Sequence, residues 1–157
     1  MTRTYGWAPE GERLHEAVPR NRGNAITMIG ALSLDGLIAM MTIEGGTTGD
    51  VFVAFLEQVL LPELRSGDLV VMDNLGAHKD RRVREILARV GAQPVYLPPY
   101  SPEYNPIELA WAWIKAWLRD AKARTRDVLD NCLAWALDCL PVDSPRNWFR
   151  HCGYRAQ

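Results

Sequence analysis

Between Leu97 and Glu108 the chain reads LPPYSPEYNPIE, and four of its ten prolines fall there. A proline fixes its own φ, has no N–H to donate, and pushes the residue before it out of the helical region. No helix and no central strand can run through such a stretch, and Pro98-Pro99-Tyr100-Ser101-Pro102 is expected to be extended. Pro106 is different, because at the first position of a helix the missing N–H is not needed. The string must therefore stand between a strand that ends near Leu97 and a helix that begins at Asn105-Pro106.

Outward from that junction the elements follow from apolar spacing. Gln93–Leu97 (QPVYL) reads as a short strand. Ahead of it, Arg81–Val90 places Val83, Ile86, Leu87 and Val90 on one side of a helix that Gly91 closes. Asp68–Asp73 (DLVVMD) is an apolar run ending in a carboxylate, as a buried strand would. Thr47 or Thr48 caps a helix carrying Val51, Phe52, Phe55, Leu56, Val59 and Leu60, and Ser66-Gly67 breaks it. Ala25–Leu32 and Leu37–Ile43 are apolar runs joined by Ser33-Leu34-Asp35-Gly36, an antiparallel hairpin in which Asp35 serves the turn. Residues 1–24 read as loop, with a short strand around Tyr5–Trp7. After the junction, Ile107, Trp111, Ile114 and Leu118 form one helical stripe, with Ala110, Trp113 and Trp117 widening it to about Arg119. A helix over Thr125–Leu140 and a last one over Pro145–Cys152 follow, the latter bringing Trp148 and Phe149 to the core. The order makes an α/β chain with no internal repeat and no linker.

At 157 residues this is read as one domain, long enough to bury a core. It has no apolar run of the roughly 18 residues a membrane span needs. Its start, MTRTYGWAPEGER, lacks the apolar centre of a signal peptide. A cytoplasmic location is expected. Three cysteines, an odd number without a CxxC pair, indicate neither a disulfide framework nor a zinc site. Cys132 and Cys139, seven apart, are expected as buried small apolar groups on one helix face, and Trp111, Trp113, Trp117 and Trp135 as core.

The net charge of −1 excludes a globally basic nucleic-acid binder, but the charge is unevenly spread. Residues 1–69 carry nine acids and five bases; residues 70–157 carry ten acids and thirteen bases. Lys79, Arg81, Arg82 and Arg84 form one basic cluster and Lys115, Arg119, Lys122, Arg124 and Arg126 another. Two solvated helix faces or a phosphate-backbone footprint both fit them.

Chemistry concentrates on two acids. Asp73 ends a strand, where open α/β sheets form their ligand crevice, although an Asp-Asn turn explains it too. Glu108 stands at the third helical position behind Asn105-Pro106, which a capping box explains. A carboxylate from a strand end and another from a nearby helix start could also converge on magnesium, a hard cation that takes few protein oxygens and leaves room for water and phosphate. A pair of such ions serves both oxygens of a phosphodiester displacement. His78 could face the same crevice, or be polar at a helix start.

The run VVMDNLGAHK, followed by YLPPYSPEYNPIELAWAWIK, resembles the catalytic core of insertion-sequence transposases of the mariner-related superfamily. YGWAPEGER near the start and NWFRHCGY near the end are similar to it too, so the resemblance covers nearly the whole chain. It implies a ribonuclease-H-like mixed sheet flanked by helices and an Asp-Asp-Glu triad, with Asp73 matching the second aspartate and Glu108 the glutamate. These would bind Mg2+ or Mn2+, two ions in the complete site, for DNA cleavage and strand transfer. Asn74, His78 and Asn105 match recurrent neighbours, and Lys79, Arg81, Arg82, Lys115, Arg119 and Lys122 are the DNA-contacting candidates. The implied partners are transposon-end and target DNA, a second copy of the active protein, and intact transposase or a separately encoded N-terminal part.

The family's first aspartate lies on a strand upstream of the segment matching TRTYGWAPEGER, and its helix-turn-helix region lies further upstream. Residues 1–157 are thus expected to be a catalytic domain lacking its first, central strand. Three readings stay open: an enzyme completed by another product, a non-catalytic remnant that binds DNA or protein, and an unrelated magnesium-dependent hydrolase. The last would need a third acid, for which Asp35 and Asp50 are poorly placed.

Overall fold

The structure, a computed structural model, describes residues 6–13, 15, 25–122 and 125–155. Two compact units divide the chain: residues 24–110 with 141–157, and residues 1–23 with 111–140.

The first unit carries the four strands of the described residues. β1 (Ile26–Ser33) and β2 (Gly36–Glu44) form the expected hairpin. Ser33 pairs with Gly36, so Leu34-Asp35 is the whole loop, and Gly36 takes φ +134, open to glycine and strained for other residues. The register slips once, between Ala31 and Leu32, as one residue bulges on the facing strand. β3 (Leu69–Met72) and β4 (Gln93–Tyr96) form a separate parallel pair. Parallel neighbours need a crossover, which α2 (Arg81–Ala88) supplies. Among the described residues, no strand of the hairpin is paired with β3 or β4.

One helix layer serves both pairs. Thr48 Oγ1 accepts the Val51 N–H at 3.3 Å and opens α1 (Gly49–Phe55). The helix then loosens into a π turn over Leu56–Leu60 and a 3-10 turn over Leu61–Glu63, where the chain reaches Pro62. Phe52, Phe55, Leu56 and Leu60, at i, i+3, i+4 and i+8, are all buried, so the helical face continues through the wider turn. They share a core with Ile29 and Ala39 of the hairpin, Met72 of β3, and Val83, Ile86 and Leu87 of α2. The hairpin and the parallel pair are thus joined through α1 side chains. Most hairpin side chains remain partly exposed, so the apolar runs ITMIGAL and LIAMMTI are less covered than their composition suggests.

The chain beyond β4 departs from a simple extended path. Pro98 and Pro99 are followed by Tyr100 at φ +57, then a 3-10 turn over Pro102–Tyr104 and α3 (Pro106–Asp120). The expectation of a uniformly extended Pro98–Pro102 is therefore corrected. Proline fixes φ but leaves the residue after it free, and Tyr100 turns left-handed there. α5 (Ser144–His151) closes the first unit, with Pro145 and Cys152 buried and Trp148 and Phe149 partly so.

In the second unit, Ile114 and Leu118 of α3 and Leu133 and Ala136 of α4 (Arg126–Asp138) are buried. Thr125 Oγ1 caps α4 by accepting the Val128 N–H at 3.3 Å. Trp113 and Trp117 stack with ring centroids 6.0 Å apart, and Trp135 meets Trp117 edge-on at 5.5 Å. Two burial expectations fail: Trp135 is exposed, and so is Cys139, while Cys132 is half-buried. Cys139 is already past the last residue of α4, at its C-cap with φ −89 and ψ 0, so the helical spacing from Cys132 does not set its direction. Of the expected strand at Tyr5–Trp7, Tyr5 lies outside the described residues; Gly6 and Trp7 are irregular and exposed.

Leu56 is fully buried where the hairpin and the α2 layer share a helix. Leu56→Ala is expected to destabilise the protein by about 2–5 kcal/mol, read as a lower urea midpoint at unchanged slope.

Candidate active site

Asp73 is the first residue beyond β3 and is exposed. Its Oδ1 accepts the Leu75 N–H at 2.9 Å, an Asx turn that aims the carboxylate by fixing the backbone ahead of it. The turn explanation is therefore met, and Oδ2 takes no part in that bond. Asn74 does something separate. Its Nδ2 donates to the Leu97 carbonyl at 2.6 Å, and the Leu97 N–H donates to the Met72 carbonyl at 2.9 Å. The ends of β3 and β4 are thus held together by a side chain and a main-chain bond, one on each side of Asp73.

His78 lies in the 3-10 turn Gly76–Lys79. Its Nδ1 is 2.7 Å from Asp73 Oδ1, yet that buried nitrogen has no aligned hydrogen-bond partner. The distance describes a close contact, and the misalignment says it is not a formed hydrogen bond. The imidazole ring packs on Phe52 at 4.3 Å between centroids, and the Tyr96 hydroxyl donates to the His78 carbonyl at 2.8 Å. His78 therefore does face Asp73, as one of the two sequence readings had it, and is fixed on the α1 side by an aromatic ring.

Glu108 sits in the first turn of α3 and is exposed. Asn105 has the extended backbone of an N-cap, φ −107 and ψ 99, and its carbonyl accepts the Glu108 N–H at 3.1 Å. The reciprocal side-chain bonds of a capping box are not made, and among the described residues the Glu108 carboxylate has no hydrogen bond or ion pair. Half of the structural explanation for this acid thus falls away. The turn before it is pinned from the far end of the chain: the Tyr154 hydroxyl donates to the Tyr104 carbonyl at 2.9 Å. Phe149 meets Tyr154 edge-on at 5.6 Å, and burial raises the Tyr154 phenol above its ordinary range. Nothing local in the sequence signals that latch.

The basic candidates separate by what holds them. Arg82 donates to Asp80 Oδ1 through Nε at 3.0 Å, to Asp80 Oδ2 through Nη2 at 2.6 Å, and to Asp50 Oδ1 at 2.7 Å. The Arg82 bond holds the Asp80 carboxyl at about 2, and the Asp80 and Asp50 carboxylates raise the guanidinium further above its ordinary range. Asp80 also caps α2 by accepting the Arg82 N–H. The start of α1 comes so close that a Cβ at Gly49 would meet Asp80 Oδ2 at 2.9 Å. Arg82 thus ties the starts of α1 and α2 together. Lys79 and Arg81 are exposed and, among the described residues, form no ion pair. Lys115 and Arg119 lie on α3 and Lys122 just past it at φ 51, all in the second unit.

Asp73 and Glu108 suit a hard divalent cation chemically: both are exposed carboxylates at element ends, with oxygens that no hydrogen bond occupies. No group of three or more potential ligands is clustered among the described residues. The two acids supply part of a donor set.

A family model described as DDE superfamily endonuclease matches residues 1–130. The Mos1 strand transfer complex is structurally similar, with a TM-score of 0.74 at 15% identity over 97% of this chain and 46% of that one. The Mos1 mariner paired end complex with Mn gives a TM-score of 0.69 at 15% identity, over 96% of this chain and 47% of that chain. A pre-cleavage Mos1 transpososome gives 0.70 at 14% identity, over 97% and 47%. The chain spans less than half the length of these relatives. No curated protein matches it. At such identities the likeness is one of fold, and it bears out the expected ribonuclease-H-like α/β class. Among the described residues no helix is long and apolar enough to cross a membrane.

Asp80 carries the one depressed carboxylate pKa of this region, so the sign is fixed. Its ion pair stabilises the fold above its ordinary value of 3.8, and the contribution fades as pH falls through about 2. Asp80→Asn should lower Tm relative to the natural protein at neutral pH, and the gap between the two should close on acidification from pH 4 to 2.

Proposed function

The chain belongs to the DDE superfamily endonucleases, and from that premise we propose that it is the C-terminal part of the catalytic domain of a mariner-related insertion-sequence transposase. Asp73 and Glu108 are two of its three metal-binding carboxylates. The observation that carries the reading is that two exposed acids, one leaving β3 and one opening α3, flank a loop fastened at both ends.

When bound, magnesium or manganese, two ions in the complete site, supplies activation of water and then of a DNA 3′-hydroxyl for attack on phosphodiesters. The chain's own residues hold and orient. Leu75 N–H keeps Asp73 Oδ1 turned back, which leaves Oδ2 for a ligand. Asn74 keeps the Asp73 turn against the start of the proline loop, His78 backs Asp73 from the side of Phe52, and Asn105 sets the first turn that carries Glu108. Lys79 and Arg81 stand free to meet phosphates, as point charges that position DNA without reading its sequence. Arg82 serves them by holding the start of α2. Lys115, Arg119 and Lys122 extend the phosphate-contacting set, with transposon-end and target DNA as partners in a homo-oligomer.

Two further features favour a protein that works together with sequence beyond these residues. Among the described residues, β1 and β2 pair only with each other, as do β3 and β4, although both pairs pack on α1. Pro94, which has no N–H for a further ladder, suits the outer edge of β4, so an added strand would join at β3. A strand between the hairpin and β3, ending in an aspartate, would join the two pairs and complete the donor set; intact transposase or a separately encoded N-terminal part could provide it. The competing reading, a catalytically inactive remnant that binds DNA or protein, is favoured by the absence of a three-ligand cluster among the described residues.

Nicking of supercoiled DNA in magnesium separates these. The purified chain should give no nicking above its Asp73→Asn control. Co-expression with the polypeptide encoded immediately upstream should restore it, and either Asp73→Asn or Glu108→Gln should then remove at least about 100-fold of the activity. Metal-dependent nicking by the chain alone, lost in Asp73→Asn, would contradict the need for an added strand. Restored nicking that survives both substitutions would contradict the site.

A further inference from the structure

Tyr100 is the least economical residue of the described chain. Its side chain is 100% exposed and its backbone lies at φ +57, a region that costs a bulky L-residue conformational energy and that glycine occupies freely. Neither packing nor a hydrogen bond of its side chain repays either feature among the described residues. The loop around it is stiff. Pro98 and Pro99 precede it, Pro102 follows two residues on, and the Ser101 hydroxyl donates back to the Pro99 carbonyl at 3.3 Å. The loop's ends are fixed as well, Leu97 by Asn74 and Tyr104 by Tyr154. The chain therefore presents one aromatic face, pre-organised and bare, on the loop that leads from the end of β4 to the helix carrying Glu108.

We propose that Tyr100 is a base-stacking residue, which receives an unpaired nucleobase beside the scissile phosphate. The inference rests on the DNA-processing reading above and adds a contact to it. A bare ring on a rigid stem suits a nucleobase, because every base offers a π-face and stacking needs no hydrogen-bond partner. Holding the ring beforehand lowers the entropy lost on binding. A paired base inside a duplex is covered on both faces, so the ring selects DNA that is frayed, flipped or single-stranded at the reacting position. A proline-recognition domain is a poorer occupant. Such domains dock a continuous polyproline II segment, and the left-handed Tyr100 interrupts it between Pro99 and Pro102.

The test measures binding of the full chain to two fluorescein-labelled probes by anisotropy. One is a blunt duplex; the other is the same duplex with a single-stranded overhang containing 2-aminopurine. Tyr100→Ala should weaken binding to the overhang probe about tenfold and leave the blunt duplex within about twofold. Tyr100→Phe should retain the natural affinity. The 2-aminopurine fluorescence should be quenched by the natural chain and by Tyr100→Phe, but not by Tyr100→Ala. An unchanged overhang affinity in Tyr100→Ala, an equal loss on both probes, or failure of Tyr100→Phe to retain binding would overturn the stacking role while leaving the transposase reading standing. Failure of the natural chain to bind either probe would remove that reading and the proposal with it. Because the side chain is fully exposed, all three proteins should show the same far-ultraviolet circular dichroism.

Discussion

The bond from Asn74 Nδ2 to the Leu97 carbonyl, with the Leu97 N–H to the Met72 carbonyl beside it, is the constraint on which the site depends. A four-residue parallel pair is short, and its carboxyl end would fray without a closing contact. Asn74 closes it where Asp73 leaves the strand. A partly buried amide-to-carbonyl bond contributes only about 1 kcal/mol net, while an unpaired partner left behind costs about 1–3 kcal/mol. The larger consequence is geometric. Leu97 is both the last residue tied to the sheet and the first of the proline loop, so fixing it fixes the starting point of the path to Glu108.

From that point the chain spends little freedom before α3. Three prolines, a left-handed tyrosine and a 3-10 turn occupy Pro98–Tyr104, and Tyr154 holds the last of them by its carbonyl. Neither acid needs a long flexible arm. Charge is distributed to match: Arg82, the most strongly engaged base, binds Asp50 and Asp80 and holds two helix starts, whereas Lys79 and Arg81 next to it remain exposed. The helix-start ion pairs are a matter of fold; the exposed cations are available to a polyanion.

Much of this was legible in the sequence because it is local. Apolar spacing marks α1, α2 and α3, the Ser33–Gly36 turn marks the hairpin, and the Pro106 rule marks the start of α3. Asp73 and Glu108 stand out in the sequence by their position at element ends, and both are exposed. What escaped is long-range or depends on a single torsion. Tyr100 was read as extended because prolines surround it, but their constraint acts on themselves and on the residue before them, not on the one after. The latch from Tyr154 to Tyr104 and the bridge from Asp50 to Arg82 join residues far apart in sequence, with no periodicity to announce them. Residue type points Trp135 and Cys139 to the core, but α4 buries only Leu133 and Ala136, and Cys139 lies past its end. The capping-box pattern at Asn105 and Glu108 fits the helix start, yet only its main-chain part forms.

The central claim is that Asp73 and Glu108 belong to one cation site. Paramagnetic broadening of backbone amide resonances by Mn2+ tests it directly, because it detects weak binding in the full chain without requiring catalysis. Amides of Asn74–Leu75 and of Ile107–Leu109 should broaden together over the same range of Mn2+ concentration, and Asp73→Asn or Glu108→Gln should abolish both effects at once. Broadening of the two segments at different concentrations, or loss of one while the other persists, would show two unrelated acids.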